Sequence, residues 1–524
     1  MTNLIRIGID VGGTNTDAVA MSGRSVLQLV KRPTSADVTT GICAALSALI
    51  EDTHLPVDDI GAVMIGTTHF VNAVVQRKDL TRVAVIRLCG PATRSLPPMV
   101  DWPADLCEIT RASVAYLSGG AEFDGRELTP FDEVAFRQTC ANIREQGWRS
   151  IAITSVFAPV SAAHEQRAAA IVAEELPHTF VSLSHEIGRI GFHERENATI
   201  LNACLRELGQ RTIGAFRSAL ATLGLRCPLY LTQNDGTLMS ADYAERFPVF
   251  TFASGPTNSM RGAAFLSGLQ DAIVIDIGGT TTDVGALMHG FPREASVEVE
   301  VGGVRTNFRM PDVFSFGLGG GSYVLPDLEG EPKRVGVVVG PRSVGYELTH
   351  KAQIFGGDVL TATDIAVASG ALHLGDRSRV AHLPQAFVHA ALQVMHNKVE
   401  EAIDRVKLSR EPLPVILVGG GSVLIQKPLA GSSQVVLPPH FQAANAVGAA
   451  IAQISGEVDR VFSLEGRSRD AVVSEAKQSA IDRAVEAGAD PSSMRIVDVE
   501  DVPLAYLPGS ATRIRVKAVG EVKL

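Results

Sequence analysis

The segment Ile9-Asp10-Val11-Gly12-Gly13-Thr14-Asn15-Thr16-Asp17-Ala18-Val19-Ala20 returns 266 residues later as Ile275-Asp276-Ile277-Gly278-Gly279-Thr280-Thr281-Thr282-Asp283-Val284-Gly285-Ala286, with eight of the twelve positions identical. Each copy sets an aspartate at the end of an apolar run, then two glycines, then hydroxyl-bearing residues. Paired glycines let backbone N–H groups approach phosphate oxygens without a Cβ in the way. Threonine hydroxyls add donors, and a strand-end aspartate can hold Mg²⁺ through water. A single Gly-Gly hairpin is ordinary turn chemistry. Two copies with matching aspartates and threonines point to a polyphosphate site between two facing lobes.

Further residue groups are candidates for the rest of that chemistry. Gly66-Thr67-Thr68, followed by His69 and Asn72, ends a short strand and opens a helix; the turn either binds an anion or carbonyl at the helix start or only caps it. Gln233-Asn234-Asp235-Gly236-Thr237 is a good tight turn, and Asp235, lying between the two hairpins in sequence, is also a candidate general base for attack on a γ-phosphate. The cluster Gly317-Leu318-Gly319-Gly320-Gly321-Ser322 brings backbone close to something, and Gly419-Gly420-Gly421 ends a buried strand where a nucleoside can lie flat. From His185 to Asn197 two histidines, three glutamates and two arginines crowd together. They are read as a solvated, ion-paired approach to a helix at Ala198–Leu220 rather than as metal ligands.

The elements that must position these residues follow from periodicity and breakers. After the first hairpin come a strand at Val26–Val30 and a helix at Thr39–Glu51. A plain strand–helix alternation over about residues 81–184 reads as an inserted α/β subdomain. An amphipathic helix spans Pro384–Leu408, and a small-residue helix spans Gln442–Ile454. The expected division is a first lobe at 1–235, a second at 236–455 and a small α/β extension at 456–524. The 524 residues, 46% hydrophobic with 49 glycines, suit a multidomain α/β protein. A formal charge of −10 without a long basic run argues against nucleic acid or an anionic membrane as main partner. Six cysteines without a Cys-x-x-Cys pair read as reduced thiols. With neither an export signal nor a long apolar run in evidence, a cytoplasmic location is expected.

With both hairpins, the glycine strand end and the closing helix in hand, the chain resembles the actin/hexokinase/Hsp70 class of ATPases, and more narrowly the ATP-dependent A subunit of the hydantoinase/oxoprolinase family. The residues carrying this are Ile9 to Asp17, Gly66-Thr67-Thr68 with Asn72-Ala73, Glu194-Arg195, Ser254-Gly255-Pro256, Asp276 to Asp283, Gly319 to Ser322, Val339 to Ser343, Thr363-Asp364 and Ala444 to Gly448. The resemblance implies a two-lobed α/β fold with duplicated βββαβα-type lobes, and ATP-dependent opening of a cyclic amide such as a hydantoin, 5-oxoproline or lactam. It implies ATP and Mg²⁺ as cofactors, with catalytic Asp10 and Asp276 organising the metal. Gly12, Gly13, Thr14, Asn15, Thr16, Gly278, Gly279, Thr280 and Thr281 would hold phosphates, with Gly320 and Gly321 nearby. Gly419, Gly420 and Gly421 would line the adenosine, and Gly66, Thr67, Thr68, His69 and Asn72 would face the acceptor. A second, B-type hydrolytic subunit and an oligomeric assembly are expected. Asp235 sits where sugar kinases of the same class carry a catalytic base, which keeps a small-molecule kinase open; a partner-dependent regulatory ATPase is a third reading.

Overall fold

The computed structural model describes residues 4–12, 15–33, 38–53, 56–89, 93–295, 299–307, 310–327, 336–504 and 511–523. The first apolar runs form strands β1 (Ile5–Val11), β2 (Asn15–Ser22), β3 (Ser25–Pro33) and β4 (Ile60–Thr67). The inserted region contributes β5 (Val83–Leu88), β6 (Arg111–Leu117), β7 (Ser150–Ser155) and β8 (Phe180–Leu183), an all-parallel sheet in the order β6-β5-β7-β8. The chain returns to the first sheet with β9 (Leu229–Thr232) and β10 (Leu238–Ser240).

The second lobe repeats the opening. Strands β11 (Ala272–Ile277) and β12 (Thr282–Met288) form its hairpin, followed by the short β13 (Phe291–Pro292). A ribbon of β14 (Val299–Val301) and β15 (Val304–Thr306), strand β16 (Val313–Phe316), and a hairpin of β17 (Ser322–Pro326) and β18 (Val337–Ser343) come next. Then β19 (Leu413–Val418) and β20 (Ser432–Val436) complete the order β13-β12-β11-β19-β20, with β16 also on β12. The two hairpins superpose in register logic. Asp10 opposes Asp17 across β1 and β2 as Asp276 opposes Asp283 across β11 and β12. Each first strand takes a parallel neighbour, β4 or β19, on its other side.

The C-terminal strands β21 (Ile454–Phe462), β22 (Arg495–Pro503) and β23 (Thr512–Gly520) extend the first sheet, which runs β22-β23-β21-β10-β9-β4-β1-β2-β3. Their residues share one continuous hydrogen-bonded surface with the first hairpin. The helix Gln385–Val406 shows why the second core forms: Val388, Ala391, Met395, Val399, Ala402 and Val406 fall at three- and four-residue steps and all are buried.

Two helices tie the lobes together. Ser254–Ser267 and Ala444–Ile451 cross at small residues, where a Cβ on Gly262 would stand 1.9 Å from the Ala444 carbonyl and one on Gly448 would stand 1.9 Å from the Asn258 carbonyl. Gly8 on β1 lets the second of these helices touch the strand, since a Cβ there would lie 2.0 Å from the Ala446 carbonyl.

The 31-residue helix Phe192–Thr222 starts six residues before the expected Ala198 and lies between the inserted sheet and the first core. This overturns the reading of the His185–Asn197 cluster as a solvated helix approach. Arg195, Glu196 and Asn197 are fully buried. The Glu196 carboxylate takes a bidentate pair from Arg87, with the Arg87 Nε to Glu196 Oε1 bond at 2.8 Å. Arg195 donates to the carbonyls of Arg189, Ile190 and Ser155 at 2.7–2.8 Å. Such buried charges require fixed partners, and here the cluster pins the insertion to the lobe. All six cysteines are free thiols. Among the described residues no helix is long and apolar enough to cross a membrane.

Candidate functional site

The duplicated hairpins meet across one cleft of about 440 Å³. Asp10, Gly12 and Asn15 line it from the first lobe, and Asp276, Gly278, Gly279, Thr280 and Thr281 line it from the second. The turns close with the same hydrogen bond: the Gly12 N–H donates to the Asn15 carbonyl at 3.0 Å, and the Gly278 N–H to the Thr281 carbonyl at 2.9 Å. Gly13 and Thr14 lie outside the described residues.

The glycine cluster after β16 props the second turn from behind. The Gly320 and Gly321 N–H groups donate to the carbonyls of Gly278 and Gly279 at 3.0 and 2.7 Å, and a Cβ on Gly319 would lie 2.5 Å from the Gly279 carbonyl carbon. Gly320 also reaches the cleft, while Gly321 stays behind it. At the end of β19, Gly419 has φ +82°, and a Cβ there would come within 2.2 Å of Asp276 Oδ1; only glycine fits. Gly419, Gly420 and Gly421 line the cleft together with Leu348, Leu372, Leu374, Val423 and Leu424, an apolar wall suited to a planar base. Sequence reasoning missed those leucines because no local pattern marks them.

Four carboxylates face this space, Asp10, Asp17, Asp276 and Asp283, accompanied by Lys31. Burial raises Asp10 to about 7, with the Asn445 amide pulling it down and the neighbouring carboxylates pushing it up. Burial also raises Asp17 and Asp276, and brings Asp283 to about 6. Asp17 Oδ2 accepts from Lys31 Nζ at 3.0 Å, whereas its buried Oδ1 has no hydrogen-bond partner. Among the described residues no three carboxylate, histidine or cysteine side chains converge closely enough to hold a metal ion directly, so these carboxylates could hold a divalent cation only through its water shell.

The duplication is not charge-symmetric. Register places Lys31 opposite Asp17 on β3, and Ser315 opposite Asp283 on β16. Ser315 donates to Asp283 where the first lobe has an ammonium. Lys31 went unnoticed in the sequence because it falls outside the repeat and lies fourteen residues from its partner.

Other expected site residues are used differently. Of the acceptor group, Thr68 lines the cleft. Gly66 lies beneath it, where a Cβ would stand 3.0 Å from Asp10 Oδ1. The Thr67 hydroxyl accepts from the His69 N–H at 3.1 Å, and the Thr68 hydroxyl accepts from the Asn72 amide at 3.2 Å. Thr16 is fully buried on β2. Asp235 lies outside the cleft lining, in a second cavity. Its Oδ2 pairs with Lys517 Nζ at 2.8 Å, and its Oδ1 accepts from the Thr237 N–H at 3.0 Å. Burial would raise this carboxyl, but the Lys517 charge and the Thr237 hydrogen bonds outweigh it and bring it to about 2. His185 and His193 are each spent on a carboxylate, Glu165 at 2.6 Å and Asp101 at 2.9 Å.

Comparison with known proteins agrees with this architecture. The caprolactamase subunit alpha of Pseudomonas jessenii is 27% identical over 419 residues, covering 76% of this chain and 59% of that protein. The acetophenone carboxylase gamma subunit of Aromatoleum aromaticum is 26% identical over 451 residues, covering 80% and 58%. The chain thus spans about three fifths of the length of these curated relatives. In fold it matches the crystal structure of the ATP-dependent caprolactamase from Pseudomonas jessenii with a TM-score of 0.77 at 20% identity, over 99% of this chain and 88% of that one. The nucleotide-free acetone carboxylase structure matches with a TM-score of 0.68 at 16% identity, over 100% and 88%. Residues 6–176 match the hydantoinase/oxoprolinase N-terminal region, and residues 195–377 match the hydantoinase/oxoprolinase domain that follows it. The chain belongs to the hydantoinase/oxoprolinase family.

Proposed function

We propose that this chain is the ATP-consuming part of an enzyme that opens a cyclic amide by phosphorylating the amide oxygen. The observation that carries the reading is the convergence of two like hairpins, four carboxylates and one lysine on a single cleft with an apolar end. In this reading Gly12 to Asn15 and Gly278 to Thr281 hold the phosphates through backbone N–H and hydroxyl groups, and Thr16, buried on β2 outside the cleft lining, does not. Gly419 to Gly421 and the leucine wall take the base, and Thr68 marks the acceptor side. Asp10 and Asp276 would hold Mg²⁺ through water, and its charge would offset that of the phosphates.

An unactivated lactam carbonyl is a poor electrophile. Its oxygen attacks the γ-phosphorus, the O–P bond forms as the bond to ADP breaks, the ring N–H proton then passes to water, and the resulting imidate phosphate is open to water at carbon. That oxygen carries no proton in the ground state, so this transfer needs no general base. The commitment of Asp235 to Lys517 therefore costs the amide reading nothing, whereas a kinase acting on a hydroxyl loses its best base candidate. We assign Asp235 a structural role on that ground.

A second protein chain for the hydrolytic step is part of the proposal. It is supported by the naming of two relatives as subunits. The acetophenone carboxylase relative favours one alternative, in which the acceptor oxygen belongs to a ketone enolate. A cytoplasmic location is part of the same proposal.

The test measures ADP release and acceptor mass with Mg²⁺-ATP and a panel of hydantoins, lactams, 5-oxoproline, ketones and polyols. Acceptor-dependent ADP release with a cyclic amide is the expected result. A stable phosphorylated polyol, or turnover indifferent to every acceptor, would refute it.

A further inference from the structure

A second cavity, of about 130 Å³, lies where three distant parts of the chain meet: Ile187 to Arg189 beside the inserted sheet, the Gln233 to Asp235 turn, and β21 with the helix Arg469–Glu486. It shares no lining residue with the cleft described above. Its carboxylates are already paired. Asp235 holds Lys517 at 2.8 Å, Asp459 holds Arg513 at 2.6 Å, Glu186 holds Arg246 at 3.0 Å, and Glu457 faces Arg515 at 3.6 Å.

Its donors are not. Among the described residues, Arg460 has no hydrogen bond or ion pair, and Arg483 is bonded only to the Glu457 carbonyl, at 2.7 Å. Burial and, after it, the nearby Arg483 charge depress the Arg460 guanidinium, with Glu475 offsetting part of the effect. Two guanidinium groups held near one another, neither in an ion pair among the described residues, are stabilised by an anion between them, and the nearby Glu475 is itself paired with Arg467. Asn234 adds a third donor: it is 5% exposed and its amide nitrogen has no partner.

We propose that this cavity binds a small organic monocarboxylate, its anion held between Arg460 and Arg483 with the Asn234 amide as a further donor. The unspent groups are all donors, which selects an acceptor-only ligand head. Ile187, Tyr243 and Phe250 supply an apolar surface for a short carbon chain. The four paired carboxylates in the wall disfavour a dianion such as phosphate. The site would join the insertion to the C-terminal strands, independently of nucleotide.

Isothermal titration of the full chain, without nucleotide, with acetate, propionate, lactate, succinate and inorganic phosphate tests this. Saturable binding of a monocarboxylate is expected, weakened at least about tenfold by Arg460→Gln and likewise by Asn234→Asp, which places a negative charge against the anion. Thermal unfolding identifies any variant that fails to fold, and the other variant then decides. The proposal is overturned if no monocarboxylate saturates, if phosphate or succinate binds more tightly, or if the folded variants bind as the parent does.

Discussion

Lys31 breaks the symmetry of the cleft. At the matching register position the second lobe has Ser315, so the cation comes from the first lobe alone, although its charge also reaches Asp276 across the cleft. Placed there, it would stabilise charge developing on the transferred phosphoryl group, beyond what backbone donors supply. Lys31→Met should lower ATP turnover about 10²-fold while leaving ADP affinity nearly unchanged, with Lys31→Arg retaining part of the activity. Steady-state kinetics beside ADP titration separates this from a merely structural role, which would weaken both together. Asp235 calls for the opposite pattern. Asp235→Asn leaves the Lys517 ammonium buried without its counter-charge, so the variant should lose about 3–5 kcal/mol of stability with turnover per folded molecule close to the parent's. Because the folded carboxyl lies near 2, below its ordinary 3.8, the stabilisation is present above about pH 4 and is lost as pH falls toward 2. Denaturant midpoints at neutral and acid pH measure it; a variant that keeps its stability but loses turnover would restore Asp235 as a base.

The crossing of helices Ser254–Ser267 and Ala444–Ile451 carries the relation between the lobes. It depends on glycines whose absent Cβ atoms leave room for a facing backbone carbonyl. Gly262→Ala should force the helices apart and cost about 1–3 kcal/mol or more, since the obstacle is backbone and cannot turn away. The thermal midpoint of the variant, with and without Mg²⁺-ATP, reads this. An unchanged midpoint would mean that the helices do not hold the cleft shut. The elements legible in the sequence were those whose signals are local: the hairpins with their Gly-Gly turns, the amphipathic helix at 385–406, and the strand–helix alternation of the insertion. What escaped was set at long range. The start of helix Phe192–Thr222 is hidden because its charged first turns are neutralised by Arg87, Ser155 and the preceding loop carbonyls, up to 109 residues away. Strand β21 follows directly on a small-residue helix, and no breaker stronger than Ala452 and Gln453 separates them. The ion pair of Asp235 was not legible either, because its partner Lys517 lies at the far end of the chain.

At the scale of the molecule, the sheet that carries the first hairpin also carries the strands of the C-terminal region, so the first lobe and those strands form one sheet beside the site. Family membership is consistent with that frame, and the chain spans about three fifths of the length of the curated relatives it matches. The central claim is that the amide oxygen itself receives the phosphoryl group. The direct measurement takes the lactam that best stimulates ADP release, labelled with ¹⁸O at its carbonyl, and follows the label during turnover with Mg²⁺-ATP and whatever partner chain co-purifies. Transfer of ¹⁸O into inorganic phosphate, one atom for each ring opened, is the predicted result. Retention of all the label in the ring-opened acid, with unlabelled phosphate, would contradict it.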